Sequence, residues 1–234
     1  MIVAVIPARG GSKRIPRKNI GDFFGQPILA YSIQAAQRSR LFDRILVSTD
    51  DEEIAAVARK WGAETPFLRP LALADDHTGT NAVVKHALGW LAAEGQPARY
   101  ACCIYATAPF LQPEYLREAH AKLVASGKSF VFSVTPFAAP VQRALRLTAA
   151  GEIEALQPQY RQVRSQDLEP AYHDAGQFYF GTAEAFARDE VLFSSAALPV
   201  ILPRYLVQDI DTEEDWRRAE LMYRAFWGGA DGAA

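Results

Sequence analysis

"IPARGGSKRIPRKN", residues 6–19, follows the apolar opening "MIVAV" and holds five cations, two adjacent glycines and no acid. The opening run reads as a fully buried strand, and "ILAYSIQAAQRS" at 28–39 places Ile28, Leu29, Ile33 and Ala36 at helical spacing. Runs of like charge are ordinarily solvated faces or tails. This one lies between a strand and a helix, where glycines let backbone N–H groups approach a phosphate while Lys and Arg neutralise it. The spacing matches neither the P-loop nor the dinucleotide-binding fingerprint. A small anion is expected here; a solvated basic turn is the plainer alternative.

Outward from this stretch the β/α alternation continues. "RILVSTD" predicts a second strand. "DEEIAAVARKWG" predicts a helix with acids in its first turn and Gly62 at its end. The helix "TNAVVKHALGWLAAEG", the strand "YACCIY", the helix "PEYLREAHAKLVASG" opened by Pro113 and the strand "SFVFSV" follow. Such alternation predicts an α/β fold: a mostly parallel sheet with helices on both faces and ligands outside the carboxyl ends of the strands.

After Pro136 the rhythm breaks into a long segment rich in proline, glutamine and arginine, read as an insertion over 137–175. The core resumes at "QFYFG", with a short helix near "TAEAFARD" and a strand within "LPVILPRYLVQDI". A last helix, "TEEDWRRAELMYRAF", aligns Trp216, Ala219, Tyr223 and Phe226 on one face. Residues 228–234 read as a disordered tail.

The chain of 234 residues is half hydrophobic, enough for one domain with an elaboration. Its 25 Lys and Arg nearly balance 27 Asp and Glu, so the basic cluster is local and a nucleic-acid surface is not expected. Cys102 and Cys103 are adjacent in an apolar run, which suits reduced core thiols rather than a disulfide or zinc site. With no signal-peptide layout and no membrane-length apolar stretch, a cytoplasmic protein is expected.

The whole string "PARGGSKRIPRKN" resembles the signature of the CMP-sialic acid synthetase, or acylneuraminate cytidylyltransferase, family. "VSTDDEEIAAVARKWGAE", "LRPLALADD", "TAP", "RSQDLEP" and "QDIDTEEDW" recur in the family's order over nearly the full length. The resemblance implies a Rossmann-like nucleotidyltransferase core, with the insertion as a dimerisation element of a homodimer. It further implies transfer of CMP from CTP to a nonulosonic acid with Mg2+.

On that resemblance the nucleotide loop falls on Ala8, Arg9, Gly10, Gly11, Ser12, Lys18 and Asn19, joined by Arg69 and by Thr78 or Thr80. Arg9, Lys18 and Asp211 carry the catalytic expectation. Asp209 and Asp211 match the family's metal-binding acids; two apart, they face one side of an extended segment and can share an ion. The residues by themselves also allow Asp211 to be a helix cap. Asp50 and Asp51, between a strand and a helix, are caps or cleft carboxylates. His77, His86 and His120 lack partners at ligand spacing and receive no role.

The sugar side is expected at Tyr105, Thr107, Arg164, Gln166, His173 and Asp174. Two departures from the sialic-acid branch stand out on this side. "YATAP" puts Tyr105 where that branch has a glutamine, and "YHDAGQFYFG" puts His173 and Asp174 where it has an arginine before "PNG". The pair resembles the pseudaminic acid cytidylyltransferase subgroup, whose sugar is di-N-acylated and C9-deoxygenated. Competing readings are a sialic acid or other sugar nucleotidyltransferase and a non-catalytic nucleotide-binding protein. A nicotinamide oxidoreductase lacks its glycine fingerprint here.

Overall fold

The computed structural model describes residues 1–75 and 78–228. His77 and all but Gly228 of the expected tail lie outside the described residues. In chain order the strands are β1 (Ile2–Pro7), β2 (Asp22–Phe23), β3 (Gln26–Pro27), β4 (Arg44–Ser48), β5 (Tyr100–Ile104) and β6 (Phe130–Pro136). They continue with β7 (Leu145–Leu147), β8 (Ile153–Ala155), β9 (Tyr172–Thr182) and β10 (Ala197–Ile201). The helices are α1 (Ile28–Ser39), α2 (Glu52–Lys60), α3 (Thr80–Ala93), α4 (Pro113–Ser126), α5 (Ala183–Ala187) and α6 (Glu213–Trp227).

Six strands form one sheet in the order β10-β6-β9-β5-β1-β4. β1 pairs in parallel with β4 and β5, and β6 with β10; β9 is antiparallel to β5 and β6. The expected mostly parallel α/β sheet is therefore present. The reversal of β9 brings its first residues to the side where β1, β4 and β5 end. Side chains alternate across the sheet: Cys102 packs in the core cluster on one face and Cys103 in the cluster on the other. Burial raises both thiols, Cys103 to about 12, so neither is a nucleophile at neutral pH.

The segment between β6 and β9 leaves the sheet after Pro136 and returns at Tyr172, where His173 and Asp174 pair with Thr135 and Val134. Residues 172–175, assigned to the insertion from sequence, are thus strand: weak periodicity hides a strand that begins with exposed residues. The excursion carries the β7–β8 hairpin, whose Leu145, Leu147 and Ile153 are more than half exposed.

A third cluster places α6 over the β2–β3 hairpin, with Phe23 edge-on to Tyr31, Trp216 and Tyr223. Trp227 stacks on Tyr223 there, while Phe226, expected on the packed face, lies half exposed against Tyr205. The N-cap of α6 is Thr212, in a capping box with Asp215. Asp211 is not the cap.

Candidate functional site

β1 ends at Pro7 and the chain then turns through the basic loop. Ala8 is fully buried and its N–H donates to the Ser48 carbonyl, which fastens the loop to β4. Asn19 is buried and donates through Nδ2 to the Arg9 carbonyl at 2.9 Å, closing the loop across ten residues. Gly10 donates its N–H to Asp50 Oδ1 at 3.0 Å, and a side chain there would meet Asp51 Oδ2 at 2.8 Å. The glycine is needed for that close approach. A Cβ at Gly11 would meet nothing.

The two acids after β4 have separate roles. Asp51 caps α2, accepting from Ile54 N at 3.0 Å, and binds Arg17 through both oxygens. The Arg17 hydrogen bond is the first reason its carboxyl lies below the usual range. Asp50 holds Gly10 and stands 3.7 Å from Arg69 Nη2. Sequence spacing left Asp50 open because its partners come from two other segments.

The loop, the end of β5 and the segment before α6 enclose a cleft of about 520 Å³ outside the carboxyl ends of the parallel strands. Arg9, Ser12, Lys18 and Asn19 line it from the loop, Arg69, Thr78 and Thr80 from one wall, and Tyr105 and Thr107 from the β5 end. Asp211 lines the opposite side. Lys13 and Arg14, read only as part of the charge run, line the cleft too.

Arg69 is 5% exposed, and its Nε and Nη2 have no hydrogen-bond partner within the protein. Burial lowers its pKa, Asp50 opposes that, and the Arg9 charge adds to it. A buried guanidinium with spare donors on a cleft wall can receive an anion. Arg9 reaches Asp75 O at 2.7 Å, and Thr78 donates to Asp75 Oδ1 at 2.7 Å.

Across the cleft Lys18 donates to the Ile210 carbonyl and lies 3.4 Å from Asp211 Oδ1, which Arg14 meets at 3.0 Å. Asp209 is exposed at its surface and does not line the cleft, although nearby protein desolvates its carboxyl. That desolvation, then the Asp211 charge, raises its carboxyl, and Lys18 pulls it down. Among the described residues no group of three or more His, Cys, Asp or Glu side chains is gathered for a metal.

Other expected site residues are not in the cleft lining. Arg164 sits on the excursion, paired with Asp167 at 2.7 Å, and Gln166 is exposed beside it. His173 is exposed against Phe137, its Nδ1 2.8 Å from the Asp174 carbonyl oxygen. Asp174 is turned toward Tyr179, a residue the sequence reading did not single out. His86 and His120 pack edge-on to Phe67 and Tyr100, and burial lowers both. They are packing residues.

The cytidylyltransferase family model matches residues 3–195. The chain belongs to the cytidylyltransferase family. Among relatives of this cytidylyltransferase, a pseudaminic acid cytidylyltransferase of Campylobacter jejuni is 45% identical, over 95% of this chain and 96% of its own. A CMP-N,N'-diacetyllegionaminic acid synthase of Legionella pneumophila is 34% identical over 94% of each chain. The solved structure of a CMP:2-keto-3-deoxy-manno-octonic acid synthetase complexed with CTP covers 96% of this chain and 98% of its own, with TM-score 0.70 at 14% identity. That likeness speaks for the fold. No helix among the described residues of this cytidylyltransferase is long and apolar enough to cross a membrane.

Proposed function

We propose that this cytidylyltransferase transfers CMP from CTP to the anomeric hydroxyl of pseudaminic acid and releases pyrophosphate. The observation that carries the reading is the cleft itself, a space of nucleotide size lined by buried Arg69, by the loop cations and by Asp211, which Arg14 and Lys18 meet at its edge. The full-length likeness to the Campylobacter enzyme supports the choice of sugar, as does Tyr105 in the cleft wall.

In this reading Arg9, Lys18, Arg69 and the Gly10–Ser12 segment bind the triphosphate. They stabilise charge that grows on the phosphate oxygens as the sugar hydroxyl attacks the α-phosphorus and pyrophosphate departs. Among the described residues no activated Ser, Cys or His is arranged for a covalent intermediate. Asp209 and Asp211 would hold a divalent cation, taken to be Mg2+. The donor set fits an ion that keeps waters and phosphate oxygens beside one or two carboxylates, and a cation would relieve both the desolvation that chiefly raises the Asp209 carboxyl and the smaller push from the Asp211 charge. When bound, the ion supplies charge neutralisation at phosphate and a more acidic attacking hydroxyl.

The sugar assignment is tested by competing pseudaminic acid and N-acetylneuraminic acid at equal concentration with CTP. Pseudaminic acid should be consumed about 10-fold faster or more, the scale on which one mismatched group in a fitted pocket is discriminated. Equal use, or preference for N-acetylneuraminic acid, moves the enzyme to the sialic acid branch.

The excursion between β6 and β9 is proposed to pair two subunits by two-fold symmetry. A lone two-stranded hairpin is marginal in water, and its exposed Leu145, Leu147 and Ile153 form an apolar surface suited to cover by a second copy. Light scattering at micromolar concentration should give twice the chain mass; a fully active monomer rules the pairing out.

A further inference from the structure

Tyr105 stands at the end of β5, where its N–H donates to the Gln177 carbonyl at 2.9 Å and its carbonyl accepts from the Ser32 hydroxyl at 2.6 Å. The backbone is therefore fixed, and the ring lies in the cleft wall with its hydroxyl 3.3 Å from that of Tyr179. Tyr179 is 5% exposed, and its hydroxyl donates to Asp174 Oδ2. The other carboxylate oxygen, Oδ1, accepts the Gly176 N–H at 2.9 Å.

These contacts set the direction of the Tyr179 proton. Tyr179 has one hydroxyl proton, and a carboxylate is the stronger acceptor, so that proton goes to Asp174. Toward Tyr105 the Tyr179 oxygen then offers only a lone pair. With that proton committed, the 3.3 Å contact is a hydrogen bond only when Tyr105 donates to Tyr179, which leaves the Tyr105 oxygen as an acceptor toward the cleft. Burial keeps both phenols protonated at neutral pH, Tyr105 being pushed up to about 12.

We propose that the Asp174–Tyr179–Tyr105 chain makes the Tyr105 oxygen a fixed hydrogen-bond acceptor in the acceptor-sugar end of the cleft, selecting an acylamido N–H of the sugar acid. The inference rests on the proposed sugar substrate. An amide N–H only donates and so matches a group that only accepts; a carbonyl, ether or carboxylate oxygen at that position meets lone pair with lone pair. Asp174 and Tyr179 are positioning residues in this account, acting through Tyr105, whereas the sequence reading placed Asp174 in contact with the sugar.

Asp174→Asn is a pointed test because its orientation is dictated. The Gly176 N–H requires the amide oxygen, so the NH2 faces Tyr179 and donates to it. Tyr179 then donates to Tyr105, and the Tyr105 proton turns toward the cleft. The KM for the sugar acid should rise about 10-fold with the KM for CTP unchanged, the effect of one lost hydrogen bond. Tyr179→Phe keeps the ring, frees the Tyr105 proton and should do the same, so the idea stays testable if one variant folds poorly. Tyr105→Phe should match them, and the Asp174→Asn/Tyr105→Phe double variant should be no worse than Tyr105→Phe alone. Wild-type sugar KM in Asp174→Asn or Tyr179→Phe, additive penalties in the double variant, or equal rises in both KM values would overturn the proposal. Failure of the wild-type enzyme to turn over any acylamido nonulosonic acid would instead sink the substrate reading on which it rests.

Discussion

Asp211→Asn is expected to abolish most turnover, by about 100-fold or more, while the protein keeps its fold. The side chain is partly exposed, and the capping of α6 belongs to Thr212 and Asp215. Its carboxylate meets Arg14 and Lys18 at the cleft, and it is the charge that would hold a cation against the nucleotide phosphates. Loss of a full charge at a cation bound between protein and phosphate removes several kcal/mol of transition-state stabilisation. Circular dichroism and the melting temperature should stay close to wild type. EDTA should reproduce the loss in the wild-type enzyme, and Mg2+ should reverse it. Normal turnover in the variant, or in the chelated enzyme, would remove Asp211 and the cation from the mechanism together.

Lys18→Ala should cost about one to two decades in kcat/KM, because a charge-assisted contact to phosphate is worth about 1.5–3 kcal/mol. The Lys18 side chain is mostly buried and its ammonium also ties the loop to the Ile210 carbonyl. A stability loss of about 1 kcal/mol, a melting shift of about 2–4 °C, accompanies the kinetic one. The pH profile supplies an independent readout. The Lys18 charge lowers the Asp209 carboxyl against desolvation and the repulsion of Asp211. Without the lysine that carboxyl rises further and stays protonated to higher pH, so the acid limb of activity must move upward. A large fall in melting temperature with normal kcat/KM would make Lys18 a structural residue only.

The loop from Arg9 to Asn19 was legible in the sequence because its residue types and its setting between strand and helix are both local. The alternating strands were legible for the same reason. What escaped depends on contacts between distant segments. Asp50 could be read only as a cap or a cleft carboxylate, since its partners Gly10 and Arg69 meet it through the fold. Asp211 and Thr212 are adjacent candidates for the α6 cap, and only backbone geometry decides for Thr212. Asp174 was expected at the sugar; instead it faces Tyr179 and Gly176, which has φ +63°, a bend that a strand pattern does not announce. Phe226 and Trp227 exchanged places because adjacent aromatic residues near a helix end fit almost equally well on a helical stripe.

The clasp between Lys18 and Ile210 joins residues 192 positions apart. During synthesis the basic loop therefore leaves the ribosome long before its last partner exists, by roughly 10–40 s at about 5–20 residues per second. Arg17 finds Asp51 and Glu53 within 36 residues, so the nascent loop is partly neutralised by the strand and helix that follow it. Lys18 must wait for the whole sheet. The reactive cleft is thus completed only once the segment before α6 has been translated, and a chain released before that point carries the cations of the nucleotide site without the carboxylates that complete it.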